Sequence, residues 1–323
     1  MMSLDLVTLT PAQSLGIPVA LVGAVFLAVG AQLQQRGVAK VEAQPTERKR
    51  STLGIGQLLA LARRPSWLLG TVCLGLAILF QLFSLFLAPL TVVQPLGALA
   101  LVITAFLNAR VTKVKLDGRS IRAMALCVGG VGLFVAVAAL TTTTLPIEEP
   151  QLIAVVVILA VVLVGLGVVF GLLRKRLTRI FYVVGAGVLF GFVATLAKVL
   201  IGRIQTIFEA HFRLVPADWL TLLCLVGLLA AAILGTYFVQ TAYSSGSPDV
   251  VVAGLTVIDP IVGVTIGVVV LGEAAHAPLW AGFVFVIAEV IAIFGVIQVS
   301  RSGARLHPEE AVLRADVPHN GSA

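Results

Sequence analysis

Apolar runs of about twenty residues recur along the chain, each closed by a short polar stretch, and that length is what an α-helix needs to cross a bilayer. The runs predict nine spans, at roughly 15–35, 67–87, 91–110, 120–140, 151–173, 180–201, 219–240, 249–271 and 279–299. The stretch GIGQLLALARR (54–64) is too short to span and is expected as an amphipathic helix on the membrane surface. The polar residues 300–323 are expected as a disordered cytoplasmic tail. The residues before the first run carry no Lys or Arg, so no cleavable signal peptide is expected.

Composition sharpens this into a class. Hydrophobic residues make up 59% of the 323 positions, only 11% are charged, and mean hydropathy is +1.09. A soluble domain carries about 25% charged residues, so a water-soluble fold is excluded. The expectation is an all-α polytopic protein of the cell membrane, with the lipid bilayer as its surroundings. The net charge of +7 invites a nucleic-acid reading. The basic residues instead crowd into alternate loops: Arg48, Lys49 and Arg50 in the first, Lys113 and Lys115 in the third, Arg174, Lys175 and Arg176 in the fifth, and Arg301 and Arg305 in the tail. The loops on the other side hold only Arg203 and Arg213, with Lys198 inside the preceding span. By the positive-inside rule the N-terminus is expected outside and the C-terminus inside, which supports an odd number of spans, since an even number would put both ends on one side. Cys73, Cys127 and Cys224 sit in apolar runs without metal-ligand spacing and are expected to act as small buried hydrophobes.

The chain repeats itself. Pro95 stands thirteen residues before Asn108 in VVQPLGALALVITAFLN, and Pro260 stands thirteen before Glu273 in VIDPIVGVTIGVVVLGE. Upstream, residues 23–37 line up with 187–202, placing Gln34 against Lys198. The units are four spans each, 15–140 and 180–299, separated by one linking span at 151–173, so the second copy is inverted in the membrane. Inverted repeats are a transporter signature, with the binding site at midplane between the halves. Gly-x-x-x-Gly spacings at Gly167/Gly171, Gly187/Gly191 and Gly263/Gly267 are expected to let helices approach closely.

The stretch APLTVVQPLGALALVITAFLNARVTKVKLDGRSIRAMALCVGGVGL resembles the paired-helix region of the drug/metabolite transporter (EamA-like) superfamily. Its Ala-Pro and Pro-Leu-Gly-Ala-Leu spacing is most similar to the NIPA-like magnesium transporters. SSGSPDVVVAGLTVIDPIVGVTIGVVVLGE resembles the same element of the second half, with its terminal Gly-Glu. The resemblance runs over most of 15–299. It implies a bundle of nine or ten helices in two inverted halves. The chain has Asn108-Ala109 where the superfamily carries a Gly-Glu pair in its first half.

Two carboxylates stand near the middle of spans, where an ionised group costs several kcal/mol and normally faces a cavity or a partner. Asp259 precedes Pro260, and a proline inside a helix removes a hydrogen bond and frees a carbonyl. Asp259 is therefore either a cation or proton ligand beside a broken helix, or a structural carboxylate satisfied by a nearby Thr or Lys. Glu289 is as deep, in an uninterrupted span, and its protonated form would hydrogen-bond across helices with or without traffic past it. Lys198, near the outer end of its span, either snorkels to the interface or pairs with a carboxylate or substrate. Gln34, Gln81, Gln94, Thr195 and Gln240 are uncharged polar residues at depths where such groups join helices or line a pathway. Gln94 precedes Pro95 as Asp259 precedes Pro260, so the two occupy matching places in the repeat and are expected to face each other. Pro95 and Pro260 are the predicted helix breaks.

These readings point to a transporter moving a small solute by alternating access. The resemblance puts Mg²⁺ or another divalent cation first, and Asp259 and Glu289 are the candidate metal ligands, since Mg²⁺ takes carboxylate and carbonyl oxygens. A proton-coupled exporter of a small metabolite or drug fits Lys198 and the glutamines equally. A membrane scaffold or a lipid-modifying enzyme stands further off. No nucleophile–base pair, HExxH or phosphate-binding Gly-rich loop appears, so neither enzymatic activity nor a cofactor is expected. Pairing of two copies into a homodimer stays open.

Overall fold

The structure is a computed structural model describing residues 11–42, 65–112, 117–173, 177–209, 218–244 and 248–303. Its described elements are helices: α1 (Pro11–Glu42), α2 (Pro65–Leu87), α3 (Leu90–Gly97), α4 (Leu99–Thr112), α5 (Gly118–Thr141), α6 (Glu149–Leu173), α7 (Arg179–Glu209), α8 (Asp218–Ser244), α9 (Pro248–Val269) and α10 (Leu279–Gly303). Among the described residues, nine spans are long and apolar enough to cross a membrane, α3 and α4 together forming one of them, Leu90–Val111. Their bounds fall within a few residues of the predicted runs. The expected surface helix at 54–64 lies outside the described residues, as does the tail beyond Gly303. Residues 300–303, assigned to the tail from sequence, belong instead to α10. Ser300 is buried there, so the helix runs on past the apolar stretch.

Burial is inverted relative to a soluble protein. Large apolar side chains point outward: Val161 is 66% exposed, Leu172 80% and Phe283 73%. Lipid is the solvent that tolerates such a surface, and in lipid the helix is the element that satisfies its own backbone polar groups. The interior combines bulky side chains such as Leu85, Leu90 and Phe134 with small residues that let backbones approach at particular crossings. A methyl group added at Gly130 of α5 would lie 2.5 Å from the backbone nitrogen of Ala292 on α10. At Gly187 and Gly191 of α7 it would lie 2.7 Å from Ile258 and Val262 of α9. The expected close packing therefore holds at Gly187/Gly191 and also at Gly263/Gly267, described below. It fails at Gly167/Gly171, where nothing lies within 4 Å, because that face of α6 has no neighbouring helix.

Helix α1 packs on α2 and α4, α7 packs on α8 and α9, α5 lies against α10, and α3 against α9. The span formed by α3 and α4 is interrupted at Ala98, three residues after α3's internal Pro95, and the chain re-enters helix through Ala98 N–H to Pro95 O and Leu101 N–H to Ala98 O, both 3.2 Å. Pro260 behaves otherwise. It was expected to break its helix, but α9 runs through it from Pro248 to Val269. A proline removes only its own N–H and crowds one carbonyl, and packing on α3 and α7 holds the helix on both sides of it.

Candidate functional site

The candidate site lies where α3 and α9 cross. Helix α9 turns Gly263 and Gly267 toward α3, one turn apart, and each leaves room for a polar side chain. A methyl group at Gly263 would lie 2.7 Å from Gln94 Nε2. One at Gly267 would lie 2.9 Å from both Thr91 Oγ1 and Glu273 Oε2. The helices run antiparallel here, Thr91 meeting Gly267 and Gln94 meeting Gly263. One further turn along the same face of α9 is Asp259, which this register sets opposite the break at Ala98.

Two buried polar atoms in this crossing have no hydrogen-bond partner among the described residues: Gln94 Nε2, a donor, and Asp259 Oδ1, an acceptor. Buried polar groups are paired in more than nine cases of ten, so an orphan signals an ion, a water or a function. That a donor and an acceptor are orphaned one turn apart on facing helices makes the crossing a polar locus inside an apolar bundle. Gln94, expected to face Asp259, packs on Gly263, one turn of α9 away from it.

A small cavity opens beside it. Its walls are Pro95 and Ala98 from the α3–α4 break, Val131 from α5, Thr256, Val257 and Pro260 from α9, and Glu289, Ala292, Ile293 and Val296 from α10. About 10 Å³ is open to a water-sized sphere, roughly the space of one water. The cavity gathers Pro95, Pro260 and Glu289. Pro260 has no N–H to give to the carbonyl four residues back, which leaves the carbonyl of Thr256, a wall residue, as an available oxygen. The Thr256 hydroxyl is spent on Val252 O at 2.8 Å.

Toward the end of the bundle where α2 finishes, a second polar cluster surrounds the α2–α3 junction. Pro89, with extended backbone at φ −57° and ψ 148°, separates the two helices. A residue before proline is disfavoured in helix, so the chain breaks at Ala88. The break exposes carbonyls ending α2 and N–H groups starting α3. Lys198 Nζ donates to Leu85 O at 2.6 Å and Ala88 O at 2.8 Å. Glu273 Oε1 accepts from Leu90 N–H at 2.7 Å, and Oε2 accepts from Thr91 N–H at 2.8 Å and Thr91 Oγ1 at 2.6 Å. A cation at a helix C-terminus and an anion at an N-terminus are each in their favoured place. Lys198 is 4% exposed and Glu273 3%. Lys198 therefore does not snorkel; it is a buried tie.

Glu273 reaches this position through the end of α9. Gly272, at φ +72°, takes the left-handed conformation that glycine adopts at least cost, and Glu273 N–H returns to Gly267 O at 3.0 Å. The turn folds the carboxylate back over the helix it follows. In sequence Glu273 stands out only by its spacing of thirteen residues from Pro260. The Gly-Glu pair together with Ala88-Pro89 was the available signal: a left-handed turn delivering an acid, and a break in need of a cap.

The remaining candidates lie elsewhere. Gln34 Nε2 donates to Thr71 Oγ1 at 3.1 Å and packs on Gly70, joining α1 to α2. Gln81 is half-buried on α2, its backbone near Gly23 of α1. Gln240 is exposed on α8. Thr195 is buried and bonds its own helix at Gly191 O, 2.8 Å. None of the four lines the cavity beside Glu289. The three cysteines are free and buried. Among the described residues no group of three His, Cys, Asp or Glu side chains is placed to hold a metal ion.

Fold and site together define a multi-pass helical membrane protein with a polar locus in its core. No family model matches the chain, and no solved structure matches it. It is similar to an uncharacterized protein of Corynebacterium glutamicum, 25% identical over 254 residues covering 79% of this chain and 86% of that protein.

Proposed function

We propose that the protein is a secondary transporter of the drug/metabolite transporter type, moving a small solute by alternating access between two inverted four-helix halves. The observation that carries the reading is the orphaned pair, Gln94 Nε2 and Asp259 Oδ1, on crossing helices inside a membrane bundle. An anchor or a scaffold has no use for an unpaired buried carboxylate. The neighbour pattern supports the repeat: α1 with α2 and α7 with α8, α1 with α4 and α7 with α9, and contacts between equivalent elements at α3–α9 and α5–α10. The expected orientation puts the α2–α3 junction on the outer side.

Mg²⁺ or another divalent cation is the first substrate. Asp259, Glu289 and the carbonyl released by Pro260 are hard oxygen donors, and Mg²⁺ is held by one or two carboxylates while keeping several waters. The test is flux in proteoliposomes with a Mg²⁺-sensitive dye inside, for wild type and Asp259→Asn. Mg²⁺ entry in the wild type and its loss in the variant support the reading. Absence of Mg²⁺ flux in the wild type overturns the cation assignment.

The orphaned amide donor favours a second substrate class, a small metabolite or drug exported against protons, since a bare cation gives Gln94 Nε2 nothing to bond. Glu289 is then the proton carrier. Transport of a metabolite panel across a pH series, in wild type and Glu289→Gln, tests it; identical pH profiles count against it.

A further inference from the structure

We propose that the cluster around Lys198 and Glu273 is a gate, closed in this structure, that seals the pathway at the end of the bundle where α2 finishes. The inference rests on the transporter reading and adds to it the residues that open and shut one side.

The cluster lies in line with the orphaned pair. Along the α3–α9 crossing the order is Glu273 with Thr91 at Gly267, then Gln94 at Gly263, then Asp259, one helical turn per step. Anything passing from that end to Asp259 must part Glu273 from the start of α3. The bonds join the two sets of helices that alternating access moves apart. Lys198 and Glu273 belong to the second set. Leu85, Ala88, Leu90 and Thr91 belong to the first, and Thr143 N–H, just beyond α5, adds a bond to Glu273 O at 2.9 Å.

A separate observation concerns the helices that the tie joins. Helices α2 and α7, which Lys198 ties together, enclose a groove of about 700 Å³ between Leu79, Leu82, Phe83 and Phe86 on one side and Ile201, Ile204 and Gln205 on the other. Leu82 and Phe86 flank Leu85, while Ile201 and Gln205 follow Lys198 by one and two turns. Beside the tie α2 and α7 stand apart, so parting them there separates few apolar contacts between these two helices. Directed hydrogen bonds that break together let the cluster act as a two-state element at this interface.

The test is thiol accessibility, which needs no substrate. Cys73, Cys127 and Cys224 are replaced by Ala, Gln94→Cys is the reporter, and the protein in proteoliposomes is treated with a membrane-impermeant, charged methanethiosulfonate from the gate side. In the parent, labelling is slow. In Glu273→Gln, which removes the charge from three hydrogen bonds, it rises at least about tenfold. Thr91→Val, which removes one of them, gives a smaller rise. Glu148→Gln, an exposed acid at the same end, leaves the rate unchanged. Unchanged labelling in Glu273→Gln overturns the gate, as does an equal rise in Glu148→Gln. Should Glu273→Gln aggregate, Thr91→Val decides alone, and an unchanged rate there overturns it. Faster labelling in Glu273→Gln with no solute flux in the wild type leaves the gate standing and removes the transporter reading.

Discussion

Lys198 and Glu273 grip the two sides of one helix break: the lysine holds the carbonyls that end α2, and the glutamate holds the N–H groups that begin α3. They act through the Ala88-Pro89 turn between them, Lys198 from α7 and Glu273 from the turn that follows α9. A broken span inside a membrane needs such partners, because lipid offers none to freed backbone groups.

Lys198→Met therefore strips the donors from two buried carbonyls and leaves Glu273 with less compensation. Leaving a buried acceptor without its donor costs about 1–3 kcal/mol. The expected result is a clear drop in the thermal unfolding midpoint of the detergent-solubilised protein. A midpoint equal to the wild type's would show that the tie carries no stability.

Asp259→Asn is expected to behave in the opposite way. One carboxylate oxygen has no partner to lose, and a charge at bilayer depth costs about 2.5–3.5 kcal/mol on insertion scales. The unfolding midpoint stays level or rises while flux is lost. A fall as large as that of Lys198→Met would mark Asp259 as structural.

Glycine substitutions separate packed from open faces. Gly130→Ala drives a methyl group against the backbone of Ala292, and forcing extra volume into a packed contact costs about 1–3 kcal/mol. Gly167→Ala meets nothing within 4 Å and is expected to be neutral or slightly stabilising, since Ala is the better helix former. Paired melting curves in one detergent check both.

Gln34→Leu removes the bond to Thr71. Interhelical hydrogen bonds in membranes average about 0.6 kcal/mol, so the expected loss is small and transport continues. Abolished flux with an unchanged melting midpoint would return Gln34 to the pathway.

The class and the spans were legible in the one-dimensional pattern, because a bilayer demands about twenty apolar residues per crossing and leaves few other readings. Asp259 and Glu289 stood out for the same reason: a carboxylate in an apolar run is conspicuous without any structure. Which polar groups are satisfied was not legible, since that depends on residues far apart in the chain. Glu273 meets Thr91 across 182 positions and Lys198 meets Ala88 across 110. Nor could sequence separate Pro95, soon followed by a break, from Pro260, which α9 passes through. A proline's effect depends on what packs around the carbonyl it frees. Hydropathy is a property of each residue and its near neighbours, whereas satisfaction of a buried charge belongs to the assembled crossing of helices. Tertiary structure therefore decided that Lys198 and Glu273 are held and that Asp259 and Gln94 are left open.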